Sequence, residues 1–169
     1  MRPRADEVMQ SIIATYDEHI LPNVQGELPK SLALTVSNLL RHVALRMERE
    51  APALVEDNAE LREVLLAISA YVSSLSAAPE ALKGLPSAIK GAANVAPVAG
   101  YVSLNALVEE ADKLRTLLDT ALKALQVNRD AVGATAEYQA VRNRIRDYQN
   151  NQIKRQSQWI REAFTIERR

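Results

Sequence analysis

Cysteine is missing from the 169 residues altogether, which excludes disulfides, thiolate nucleophiles and thiolate metal sites. Histidine is nearly missing: His19 and His42 are the only two. A Ser–His–acid triad therefore has few possible bases. Neither HExxH nor ExxH spacing occurs, so zincin and di-iron bundle patterns are absent. A charge excess is missing too, because 21 basic side chains balance 21 acidic ones. That removes the whole-protein argument for binding nucleic acid or an anionic membrane. No segment alternates like a β-strand. The N-terminus, MRPRADEVMQ, lacks the apolar core of a secretory signal, so a cytoplasmic location of bacterial type is expected. The longest uncharged run, 91–108, contains Asn94, Pro97 and Asn105 and reads poorly as a membrane span.

What is present is helical periodicity over most of the chain, and it predicts an all-α protein: one helical domain over 1–169, a bundle of about five to six helices with a long C-terminal helix. Val8, Ile12, Tyr16 and Ile20 step by four, and Pro22, Gly26 and Pro29 end that first helix. Leu32, Val36, Leu39 and Val43 form the stripe of a second helix from about 30 to 50, interrupted by Pro52. Asp57 with Glu60 reads as the capped start of a third helix, whose buried face is Leu61, Leu65, Ile68, Val72 and Leu75. Residues 76–103, rich in Pro, Gly, Ala and Ser, predict a short helix near 79–90 and then an irregular connection.

Leu104, Leu107, Ala111, Leu114, Leu118, Ala121 and Leu125 keep alternating three- and four-residue steps, the pattern of a bundle seam. Asn128 is placed to cap a final helix over 128–165. Its seam begins Tyr138, Val141, Ile145, Tyr148, but continues with Gln152 and Arg155 before Trp159. A seam that turns polar halfway predicts a helix that projects or pairs with another chain. Charge is uneven: residues 1–60 carry a net −4 and 127–169 a net +4, which favours attraction between the two ends.

Candidate sites are few. Asn38, His42, Arg46 and Arg49 lie along one helix face, with Arg41 beside them, and could hold a phosphate or carboxylate through forked arginine donors. The same stripe reads equally as the wet side of an amphipathic helix. GLPSAIKG, 84–91, lacks the order of a phosphate loop, since Lys90 precedes its glycine and no strand leads into it. The C-terminal run Arg142, Arg144, Arg146, Lys154, Arg155 and Arg161, with Tyr148 and Trp159, is offset by Asp147, Glu162 and Glu167 and does not predict nucleic-acid binding. Glu109 and Glu110 are adjacent and diverge around a helix. No catalytic residues, no metal ligands and no cofactor are expected.

RPRADEVM, ILPNVQG, ALTVSNLLRHV and RMERE resemble a family of small uncharacterised bacterial proteins. Its features are an Arg-Pro start (Arg2, Pro3), a Leu-Pro-x-x-x-Gly turn (Leu21, Pro22, Gly26) and an Ala-x-x-x-x-Asn helix (Ala33, Asn38). The resemblance covers the first third to half of the chain. That family is encoded beside, or fused to, aminoglycoside-phosphotransferase-like proteins, often near acyl-CoA dehydrogenases. The resemblance therefore implies an accessory protein to a kinase-like or acyl-CoA-linked enzyme.

Two functional expectations follow. The first is a helical interaction protein that self-associates as a homo-oligomer through Leu104, Leu107, Ala111, Leu114 and Leu118, or through the last helix with Tyr148 and Trp159. The second is a binding protein or enzyme for an anionic small molecule, with a pocket near 84–103 and Arg41, His42 and Arg46 holding the anion.

Overall fold

In the computed structural model, which describes residues 2–93, 102–132 and 135–164, the described residues are helical with no strand. The order is α1 (Ala5–Thr15), a wide π turn (Tyr16–Ile20), a 3-10 turn (Leu21–Asn23), α2 (Glu27–Ser74), α3 (Glu80–Lys83), α4 (Leu85–Ala93), α5 (Leu104–Val127), α6 (Arg129–Val132) and α7 (Ala136–Phe164). The described residues sort into two compact units. Unit 1 is Met1–Ala51 with Ile153–Arg169, and unit 2 is Pro52–Gln152.

Unit 2 contains almost all of the buried apolar side chains. Leu61, Leu65 and Ile68 of α2 are wholly buried, on the stripe that the sequence spacing predicts. The α5 seam supplies Leu107, Ala111, Leu114, Leu118, Ala121 and Leu125, and α7 supplies Tyr138, Val141, Ile145 and Tyr148. Leu82, Leu85 and Ile89 of the short helices α3 and α4 complete this core. Aliphatic side chains at three- and four-residue steps form one stripe per helix, so each helix has one face to bury. The Tyr71 hydroxyl donates to the Val132 carbonyl at 2.9 Å, which satisfies a buried phenol and fixes α6.

Unit 1 is built differently. Glu7 closes the start of α1 by accepting the Arg4 backbone N–H at 3.0 Å. Gly26 has φ +87, and a side chain there would be strained, which gives the Leu-Pro-x-x-x-Gly turn its physical reason. Asp17 then joins the π turn to α2, accepting from the Ser37 hydroxyl at 2.6 Å and from the Arg41 guanidinium at 2.5 Å. Ala33 is buried, and Ser37 one turn later is buried as well.

Three expectations about element ends are corrected. Pro52 does not interrupt α2; the helix runs through it from Glu27 to Ser74. Its ring removes the amide that would bond to the Glu48 carbonyl, at about 3 kcal/mol. Both residues are exposed, so water can take that carbonyl, and the burial of Leu61, Leu65 and Ile68 downstream holds the helix together. Asp57 therefore starts no helix. It lies inside α2, and the Asp-x-x-Glu signature is used for a different purpose. Asn128 closes α5 rather than opening α7: its amide donates to the Ala124 carbonyl at 2.8 Å. Thr135 is the cap of α7, its hydroxyl accepting the Tyr138 N–H at 3.2 Å.

Candidate functional site

Two features stand out chemically, a polar network inside unit 2 and an apolar surface on unit 1. The network begins at Asp57, whose side chain is almost wholly buried. Arg115 of α5 donates to its Oδ2 at 2.7 Å, and Gln152 of α7 donates to both oxygens at 3.0 Å. The Tyr148 hydroxyl lies 3.5 Å from the same carboxylate. One turn along α2, Asn151 donates to Glu60 at 2.8 Å. On the facing side Glu110 accepts from Arg62 and from Asn58, and Asn58, only 1 % exposed, also donates to the Leu107 carbonyl at 3.1 Å. Three helices are thus tied by charge-assisted hydrogen bonds where their seams stop being apolar.

The electrostatics follow from this packing. Burial raises the Tyr148 phenol to about 12, and the Asp57 charge adds to the shift. Burial works against the Arg115 cation, but Asp57 and Tyr148 more than compensate, so its pKa lies above the ordinary arginine value. Each carboxylate of the network is met by a donor, whereas the buried Asn58 Oδ1 and the Nε atoms of Arg62 and Arg115 have no hydrogen-bond partner. Such an arrangement fixes helix register.

The cationic stripe of α2 is occupied by acids of its own unit. Arg41 pairs with Asp17, Arg46 with Glu50, and Arg49 with Glu162 at 2.5 Å. The Glu50 hydrogen bond raises the Arg46 pKa, while Gln158 first and Arg49 second hold the Glu162 carboxyl below its usual range. Asn38 and His42 are half-buried, and the His42 Nδ1 has no hydrogen-bond partner. The cleft that includes Arg41 is also lined by Glu48 and Glu162, a poor surface for an anion. The Arg49–Glu162 pair also runs opposite to the overall charge asymmetry of the chain, with the cation in the acidic half.

The expected pocket near 84–103 falls partly on 94–101, outside the described residues. In its described part, a Cβ on Gly84 or Gly91 would meet open space, so neither glycine serves a close backbone approach. Among the described residues no three His, Asp or Glu gather to hold a metal, and no helix is long and apolar enough to cross a membrane.

Leu107, Ala111, Leu114, Leu118 and Tyr148 are buried within unit 2 of the same chain. Leu104, at the start of α5, is exposed, and Trp159 is half-buried in unit 1. The seam residues thus pack inside their own chain.

The apolar surface lies elsewhere. Leu28, Leu32, Val36, Leu39, Val43 and Met47 of α2 are all exposed, Leu28 at 71 % and Leu32 at 60 %. Val8, Ile12 and Ile20 add an exposed row along α1 and the π turn, and Ile153, Ile160 and Phe164 add another on α7. The periodicity of these rows was plain in the sequence; which rows face outward was not. Asp57, Asn58, Arg62, Glu110 and Arg115 were missed as a network, although Gln152 at a seam position was its signal. A polar residue at a core register marks either an unburied helix or a buried polar partner, and here it is the second. No protein-family profile, no curated protein and no solved structure matches the chain, so its relationships rest on its own residues.

Proposed function

We propose that the chain is a helical interaction protein that self-associates, with unit 2 as a self-sufficient scaffold and unit 1 as the half that binds. The observation that carries this reading is an imbalance between the units. Unit 1 buries only Ala33, Ser37 and Ala163 among its described residues, yet it holds 13 of the 18 exposed large apolar side chains. The α2 stripe puts six exposed apolar side chains in one row, and apolar surface of that kind marks an association site. An isolated helix in water is marginal without a packed face, so unit 1 needs a partner to hold its helices.

An accessory role beside a kinase-like or acyl-CoA-linked enzyme remains compatible with this reading. The residues that carry that resemblance, Arg2, Pro3, Leu21, Pro22, Gly26, Ala33 and Asn38, all fall in unit 1. The anion-binding reading has less support, because Arg41, Arg46 and Arg49 each face a carboxylate already.

Native mass spectrometry of the untagged protein over a wide concentration range tests the proposal. A dimer or larger species that dissociates on dilution is expected. A monomer at every concentration, unchanged by replacing Leu32 and Leu39 with Glu, contradicts it.

A further inference from the structure

We infer that the partner of unit 1 is a second copy of the chain, and that the two α2 helices pair antiparallel about a two-fold axis between Val36 and Leu39; this rests on the self-association proposed above. The spacing of the exposed stripe is the first support. Leu28, Leu32, Val36, Leu39, Val43 and Met47 follow steps of four, four, three, four and four, which read the same in both directions. At 100° per residue they occupy an arc of about 100° on one side of the helix. An antiparallel copy therefore sets Leu28 against Met47, Leu32 against Val43 and Val36 against Leu39, each contact occurring twice. That is the self-complementarity that a two-fold interface requires.

Side-chain size and charge favour this direction over the parallel one. Antiparallel pairing puts each leucine opposite a differently shaped side chain, so that the faces interdigitate. A parallel copy in register would bring Arg46, at the edge of the stripe, beside its own counterpart. In the antiparallel pair Arg46 stands opposite Pro29, far along the axis from its own counterpart. The opposed helix dipoles agree with the same direction. A net charge of zero means that two copies approach without overall repulsion.

The area is sufficient. With the fractional exposures of its six side chains, the α2 stripe alone presents roughly 500 Å² per chain, about 1,000 Å² for the pair, at the lower bound of a specific interface. Between Leu28 and Met47 the charged side chain at the stripe's angle is Arg46, five full turns from Leu28, and it is paired with Glu50 of its own helix, so the charge bordering the interface keeps its partner.

The absence of cysteine makes the test clean, because introduced thiols are the only ones. Leu28→Cys and Met47→Cys are made separately in the full chain; both sites are exposed, so folding is undisturbed. The proteins are equilibrated together and treated with a short bismaleimide, and the products are read by intact mass. Cross-links between L28C and M47C chains are expected to dominate, with few of either variant to itself, since like positions would stand roughly 28 Å apart. Predominant L28C–L28C and M47C–M47C products would overturn the antiparallel pairing while leaving self-association intact. No cross-link of either kind, with an oligomer still present by native mass spectrometry, places the interface on another surface and overturns the inference. No cross-link and no oligomer removes the self-association reading along with it.

Discussion

Unit 2 and unit 1 are assembled from the same material, amphipathic helices with stripes at three- and four-residue steps, and they use it in opposite ways. In unit 2 the stripes of α2, α5 and α7 face one another, and Leu61, Leu65, Ile68, Leu114 and Ala121 are essentially removed from water. In unit 1 the α2 stripe from Leu28 to Met47 has equally good periodicity but remains exposed. The sequence period fixes which residues share a helix face, whereas the number of helices available decides whether that face is covered. The same helix, α2, contributes a core face over 61–72 and an open one over 28–47, with Pro52 between them.

The sharpest break in this comparison comes from large-to-small substitution. Leu65→Ala in unit 2 is expected to lose about 2–5 kcal/mol in a denaturant titration, whatever the protein concentration. Leu39→Ala in unit 1 is expected to leave a dilute sample nearly unchanged and to lower stability only where the protein associates. Equal losses at both sites in dilute protein would erase the distinction between the units.

Asp57→Ala addresses the network inside unit 2. It removes the buried carboxylate from a partly exposed Arg115 and frees the Gln152 amide, and a loss of about 1–3 kcal/mol is expected. A change below 1 kcal/mol would mean that the network contributes little to register. Pro52→Ala acts in the opposite direction. Restoring the amide to an exposed, continuous helix should raise stability by about 1–3 kcal/mol without changing helix content by circular dichroism. A loss of stability instead would show that the proline is required where it stands.

Alkaline titration gives a smaller effect confined to unit 2. The Tyr148 phenol in the folded chain ionises at about 12, above the ordinary value of about 10. The folded state therefore binds the proton more tightly, so stability is intact below pH 10 and falls between about pH 10 and 12. Tyr148→Phe should flatten that fall; an unchanged profile would assign the alkaline loss to other groups. The smallest expected effect is Arg49→Ala in unit 1, whose pair with Glu162 is partly solvent-exposed, so that its loss should leave stability nearly unchanged.

The helical class and the core stripes of unit 2 were legible in the sequence because burial there follows periodicity directly. Element ends were less legible. Pro52 and Asp57 carry genuine stop and start signals, but the apolar residues from Leu61 onward keep α2 continuous against them. The candidate sites were the least legible, because they depend on what long-range packing places opposite each side chain. The arginines at 41, 46 and 49 read as an open cationic stripe until Asp17, Glu50 and Glu162 are placed beside them. In the same way, the α5 seam reads as a surface for pairing until α2 and α7 cover it.

Hydrogen–deuterium exchange of the full chain at two protein concentrations, one well below and one well above the association midpoint, tests the contrast between the units most directly. Amides of 61–72 and 107–125 should be equally protected in both, while those of 8–20 and 28–47 should gain protection only in the concentrated sample. Full protection of 28–47 in the dilute sample would contradict the contrast, because unit 1 would then hold its helices without a second copy.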